Sequence, residues 1–457
     1  MHNSIITVYG SNIQLFYFFP EKSPYSPAIV FLFSKKMIVG NRQIAYNKTV
    51  PYSHLRQLTE MDFKMKILML EWKSFGNEDL ISAFNELGHT VKTIPFSNKE
   101  LHHDDAAENC IVSEIRNTAP DFVFTFNYFP IVSLACKKAD ARYVCWVYDS
   151  PYVMLYSYTV IYPGNYIFVF DKELYLEFHR AGIHTIYYLP LAANTDRLCQ
   201  MDASAHGGAF HTGKWFNKTD IAFVGSLYTE KHQFYQRLTG ITPYTRGYLE
   251  GIMEAQKHVY GYNFIQELLS PPIVEDLMRV LPMQPDPTSV ESVEFLYAQY
   301  VINRQITSTE RIELLTAIGQ RFPYDLYTPN EAITLPGCVN HGPVDYYDMA
   351  PYVFKHARIN LNITLRSIKS GIPLRAFDIL GAGGFLLSNF QADFEDCYVP
   401  DEDFVFFESR EDLLQKIEYY LTHEDERAAI AWNGFQKTAS CHTYQHRVEE
   451  ILSCLKD

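Results

Sequence analysis

Asn362-Ile-Thr-Leu-Arg-Ser-Ile-Lys-Ser-Gly-Ile-Pro-Leu-Arg-Ala-Phe-Asp-Ile-Leu-Gly-Ala-Gly-Gly-Phe-Leu-Leu-Ser-Asn389 reads as a strand end, a basic loop, a short helix, a double glycine and a second strand. Arg366, Lys369 and Arg375 gather around Ser370-Gly371. Pro373 is expected as the first helical residue, where its fixed φ fits and its missing N–H costs nothing. A helix N-terminus presents unpaired N–H groups, so this one, flanked by cations, suits a phosphate or diphosphate. Asp378 follows five residues after Pro373 and suits paired ribose hydroxyls. Gly383-Gly384 ends the helix by permitting positive φ. An ordinary βα unit with a basic surface loop is the competing reading.

Working outward, the pattern repeats. Short apolar runs begin at Lys66, Thr90, Phe122, Arg142, Tyr166 and Thr185, with helix-compatible stretches between several of them. Continuous apolar strands alternating with helices imply a parallel sheet covered on both faces. Ligands of such sheets bind beyond the carboxyl ends of the strands. Glu71, Asn127, Asp149-Ser150 and Asp171 stand at such ends, with Trp72 on the first strand–helix loop. Residues 200–219, rich in Gly, His, Ala and Lys, read as a linker. A second α/β domain opens at Ile221 and resumes at Tyr324 after a proline-broken helical insertion, about 244–321. Gly225-Ser226 follows its first strand and lets backbone approach a phosphate; a plain turn fits equally.

With 457 residues the chain is long enough for two such domains. The formal net charge of −14 argues against a general nucleic-acid binder, so a nucleotide needs a local basic pocket. Eight cysteines occur without a Cys-x-x-Cys pair, several in apolar runs. A reduced, cytoplasmic chain without a disulfide framework or a metal site is expected. No apolar run is long enough for a transmembrane helix. Residues 1–64 read either as a small β-rich appendage or as an extension upstream of Met65.

Several runs together resemble one family. Cys145-Trp-Val-Tyr-Asp-Ser-Pro-Tyr152, Phe168-Val-Phe-Asp-Lys-Glu173, Tyr188-Leu-Pro-Leu-Ala-Ala-Asn194 and Asp220-Ile-Ala-Phe-Val-Gly-Ser-Leu-Tyr228 appear in the order found in CgeB-like glycosyltransferases. That family is named for a spore-maturation protein, and the resemblance runs from about Lys66 to the C-terminus. It implies a GT-B fold: two Rossmann-like domains facing across a cleft, an acceptor side at 65–199 and a nucleotide-sugar side at 220–443. The last segment, 444–457, is then the helix that packs back toward the first domain.

The resemblance implies transfer of a sugar from a nucleotide-sugar donor to a glycan or protein acceptor, without a metal or other cofactor. It implies a surface, spore or flagellar glycoconjugate, or its precursor, as the destination. Arg366, Lys369 and Arg375 are the candidate phosphate ligands, with Ser370, Gly371, Gly225 and Ser226 beside them. His341, in Asn340-His-Gly-Pro343, is the candidate for the nucleobase, or else a solvated turn histidine. Asp149 is the candidate general base or acceptor-orienting group, or else a turn cap. Asp171 is the second choice for that role, and reads more readily as a helix cap before Lys172–Phe178. Retaining relatives carry Glu, seven residues, then Glu; aligning the second acid with Asp378 puts Ser370 at the first. A catalytically silent nucleotide- or sugar-binding component and a nucleotide-sugar epimerase of the same fold are the alternatives.

Overall fold

The computed structural model describes residues 7–10, 13–16, 37–39, 42–44, 64–97, 103–200, 219–230 and 233–456. The chain divides into two units, 1–64 and 65–457. In the first, β1 (Thr7–Gly10) pairs antiparallel with β2 (Ile13–Phe16), and β3 (Met37–Val39) with β4 (Arg42–Ile44). Most of the proposed N-terminal extension, and the proposed linker between 201 and 218, lie outside the described residues.

The second unit holds two parallel sheets. β5 (Lys66–Glu71), β6 (Thr90–Pro95), β7 (Phe122–Phe126), β8 (Tyr143–Val147), β9 (Asn165–Val169) and β10 (Ile186–Tyr188) form the first, in the order β10-β9-β8-β7-β5-β6. Every residue of β7 and β8 is buried, as apolar runs covered on both faces require. β11 (Ile221–Val224), β12 (Tyr324–Tyr327), β13 (Cys338–Asn340), β14 (Ile359–Asn362), β15 (Leu386–Asn389) and β16 (Val405–Phe407) form the second, in the order β13-β12-β11-β14-β15-β16. This is the GT-B arrangement of two Rossmann-like sheets that the sequence predicts. β13 was not expected; it is three residues long and none of them is buried.

The two sheets share apolar packing. The helix Leu374–Gly381 contributes Ala376, Phe377 and Leu380 to a core that also holds Trp146, Phe170 and Ala193 of the first domain. A Cβ on Gly381 would lie 2.7 Å from that of Ala193, so only glycine permits this approach. Pro373 is the N-cap of this helix, not its first residue: its ψ of 152° is extended. The C-terminal helix Tyr444–Cys454 begins with a capping box made by Thr443 and His446. It packs on the first domain, where Arg447 Nε donates to Pro190 O at 2.8 Å and Gln445 Nε2 to Glu86 Oε2 at 2.7 Å.

Between β11 and β12 the chain is helical, with Pro243–Lys257 and Pro271–Val280 before a long rod. The rod runs through Val293–Leu296, a π-helical stretch Tyr297–Ile302 and Asn303–Gly319. π-Turns of this kind recur at functional sites, and this one carries Gln299 and Tyr300 to the junction of the domains.

Candidate active site

In the second sheet the strand order reverses at β11, with β12 on one side and β14 on the other. The crevice beyond β11 and β14 is the expected ligand position for such a sheet. Two arginines fill its floor. Arg375 donates from Nη1 to Val224 O at 2.7 Å and from Nη2 to Asn362 Oδ1 at 2.7 Å. Arg311 donates from Nε to Ile363 O at 3.0 Å and from Nη1 to Ser226 O. Their partners are carbonyl and carboxamide oxygens, and among the described residues neither makes an ion pair with a carboxylate. Burial lowers the proton affinity of both, and the Arg311 charge adds to the effect on Arg375. Arg311 is buried and Arg375 half-buried, with Glu310 and Glu230 near the first and Asp378 near the second. Two neighbouring like charges hydrogen-bonded only to neutral dipoles make a site that an anion would stabilise.

A third cation completes the group. Arg304 stands seven residues before Arg311 on the same helix, two turns away and therefore on the same side. Its guanidinium lies 4.8 Å from the Tyr228 ring centroid, and that of Arg311 lies 5.0 Å from the same ring. Arg304 Nε is buried with no hydrogen-bond partner among the described residues. The loop after β11 is folded by Glu230, which accepts from Leu227 N at 3.0 Å and from Ser226 Oγ at 2.8 Å. A Cβ on Gly225 would sit 2.2 Å from Arg375 Nη1, so glycine is what admits the guanidinium.

The other proposed phosphate ligands are engaged elsewhere. Arg366 is buried and turned away from the crevice. It donates to both oxygens of Glu310, at 2.8 and 2.6 Å, and to Val259 O and Lys257 O, and it stacks 4.0 Å from the Tyr260 centroid. Lys369 pairs through Nζ with Glu177 of the first domain. The loop 369–371 is a latch between domains. The buried Asp171 carboxyl accepts from Lys369 N at 2.6 Å, Ser370 N at 3.2 Å and Ser370 Oγ at 2.9 Å, while also capping Leu174 N. Burial pushes the Asp171 acid up, and these hydrogen bonds oppose the shift. Gly371 has no room for a side chain, since a Cβ would meet the Phe170 ring at 2.7 Å.

Asp378 is buried and accepts from Tyr346 Oη at 3.3 Å, so Tyr346 covers the carboxyl proposed for ribose. Burial, against the pull of Arg197, pushes its acid up to about 8. His341 stacks on Tyr327 with ring centroids 4.7 Å apart, and its Nε2 lies 2.7 Å from Asp325 Oδ1. Its ring is thereby held against the protein.

Opposite, at the ends of β7 and β8, Asn127 holds Asp149. Asn127 adopts a left-handed conformation (φ 59°), donates to Asp149 Oδ2 at 2.7 Å and accepts from Tyr148 N and Asp149 N at 3.1 and 3.3 Å. Asp149 is exposed to solvent, with protein packed around its carboxyl. That crowding pushes its acid above the ordinary value, and the Asn127 hydrogen bond opposes it. Trp72 stacks on Tyr148 at 6.2 Å and donates from Nε1 to Phe126 O at 2.7 Å, which shapes the loop beside it. Tyr300 reaches across to this loop, accepting from Val153 N at 2.8 Å and donating to Pro151 O at 3.3 Å. Arg304 follows one turn later.

Residues 304–453 match the model of a family described as glycosyl transferase-like, and the match begins at Arg304. No curated protein matches. Among solved structures, a glycosyltransferase from Rickettsia africae is 13% identical with a TM-score of 0.47, over 86% of this chain and 98% of that one. Anabaena HepE in complex with UDP-glucose is 10% identical with a TM-score of 0.49, over 86% and 99%. Sucrose-phosphate synthase from Thermosynechococcus elongatus is 10% identical with a TM-score of 0.47, over 86% and 98%. Likenesses at this level carry no argument about activity.

Arg304 and Arg311 were not singled out from the sequence, because they fall within the stretch read as an insertion. Their seven-residue spacing on a helix was the available signal.

Proposed function

We propose that the protein is a glycosyltransferase that moves a sugar from a nucleotide-sugar donor to an acceptor hydroxyl, with no metal at the diphosphate. The observation that carries this reading is the group Arg304, Arg311 and Arg375 at the switch point of the second sheet. Charge develops on the leaving diphosphate as the glycosidic bond breaks. Fixed guanidinium groups in a crowded crevice stabilise that charge without reorganising. On the facing domain we assign Asp149, hydrogen-bonded by Asn127, the role of accepting a proton from the acceptor or orienting it. The raised acid of Asp149 moves it toward the range in which a general base works. The resemblance to CgeB-like enzymes supports a surface, spore or flagellar glycoconjugate, or its precursor, as the product.

The test is a panel of nucleotide sugars, scored first by thermal shift and then by nucleotide release with and without acceptors. A binding ligand raises the melting temperature in proportion to ln(1 + [L]/Kd). Acceptor-dependent release of nucleotide is expected. Binding without release under every acceptor would leave a silent binding component, and conversion of the sugar without acceptor would identify an epimerase.

A further inference from the structure

A pocket of about 640 Å³ opens between the helical segment and the 150–160 loop, walled by Val153, Phe234, Met283, Leu296 and Tyr300, with Glu291 also lining it. Both domains build it. Tyr158 N donates to Thr288 O at 3.0 Å and Val290 N to Tyr156 O at 2.9 Å, so the 286–291 turn is tied to the first domain as a short strand pair. Pro282, Pro285 and Pro287 stiffen the rim, since each fixes its own φ.

Two features specify a ligand. Five wall residues are apolar or aromatic, which suits an apolar body. Gln284, Asp286 and Glu291 add polar groups to the lining, and Glu291 is only 7% exposed. Its Oε1 accepts from Asp286 N at 3.0 Å, whereas Oε2 is buried with no hydrogen-bond partner among the described residues. A buried oxygen left without a donor is costly, so an N–H or O–H group from a ligand would stabilise it. The pocket also adjoins the chemistry: its Tyr300 hydroxyl bonds to Val153 N and Pro151 O, on the loop that begins with Asp149.

We propose that this pocket holds the acceptor, and that the acceptor is amphipathic: an aryl or alkyl body with a hydrogen-bond donor for Glu291, carrying its hydroxyl toward Asp149. This assignment rests on the glycosyltransferase reading for its link to the reaction, but the binding itself is measured without it. The probe is phenyl β-D-glucoside, titrated calorimetrically into the full chain with and without UDP, with glucose as the control. The phenyl glucoside is expected to bind at least tenfold more tightly than glucose. Met283→Trp, which fills the pocket, should weaken it tenfold or more, and Glu291→Met by about tenfold, the loss of one buried hydrogen bond. If Glu291→Met fails to fold, Met283→Trp decides. Equal or absent binding of the two probes, or unchanged affinity in Met283→Trp, overturns the proposal. Failure of UDP, GDP and ADP alike to bind while the glucoside does would strike the donor reading alone.

Discussion

Arg311 and Arg375 donate to one oxygen, the carbonyl of Ile363, at 3.0 and 3.5 Å. Two guanidinium groups therefore converge on a single dipole at the carboxyl end of β14, although they come from helices on opposite sides of the crevice in sequence. An anion placed above them meets both, and Arg304 on the Tyr228 ring adds a third.

Arg304 gives the cleanest test of this site, because it is partly exposed and makes no ion pair among the described residues. Arg304→Ala should weaken nucleoside-diphosphate binding about tenfold or more while changing nucleoside binding little, since a charge-assisted hydrogen bond to phosphate is worth roughly 1.5–3 kcal/mol. Calorimetry with UDP and uridine, or their guanine and adenine counterparts, reads the difference. Equal losses for both ligands would move Arg304 away from the phosphates.

Arg366→Ala should act on stability. It leaves Glu310 buried without its guanidinium partner, which costs about 3–5 kcal/mol. Chemical denaturation measures this directly. A variant of unchanged stability that no longer binds diphosphate would restore Arg366 to the ligand site.

The latch on Asp171 predicts a graded pair. Asp171→Ala leaves Lys369 N, Ser370 N and Leu174 N without their acceptor and should cost about 3 kcal/mol or more. Asp171→Asn retains one acceptor oxygen and should lose less. Equal stability of the two variants would mean that the latch contributes nothing.

The pH dependence of folding carries the signature of Asp378. An ordinary aspartate loses its proton near pH 3.8, whereas burial holds this one up to about 8. Between those values the folded protein keeps a proton that the unfolded chain has released. The stability from this group is therefore complete below about pH 4 and is lost as pH rises toward 8. Asp378→Asn cannot titrate, so its melting temperature should gain on that of the wild type between pH 5 and 8. A constant difference across that range would show that Asp378 ionises normally.

Asp149→Asn should preserve donor affinity and lower turnover about a hundred- to ten-thousandfold if Asp149 is the general base. The wild-type rate should rise with pH as the carboxyl, held above its ordinary value, loses its proton. Unchanged turnover beside unchanged stability would return Asp149 to a turn-capping role.

The sheets were legible because their strands are short apolar runs separated by helical periodicity, a signal that lies within a few residues. Phe122–Phe126 and Tyr143–Val147 are examples, and both are buried throughout. Gly225 after β11 and Asp149 after β8 could likewise be placed from strand ends, and Arg375 from the start of the helix Leu374–Gly381. What a cation binds is not local. Arg311 finds Ile363 and Ser226 at separations of 52 and 85 residues, and Arg366 finds Glu310 at 56. From the sequence, Arg366 and Lys369 looked free and Arg304 and Arg311 looked incidental. Only the packed chain, where each guanidinium must satisfy its donors with whatever oxygen the neighbouring segment presents, separates those committed to internal carboxylates from those gathered, without one, at the switch point.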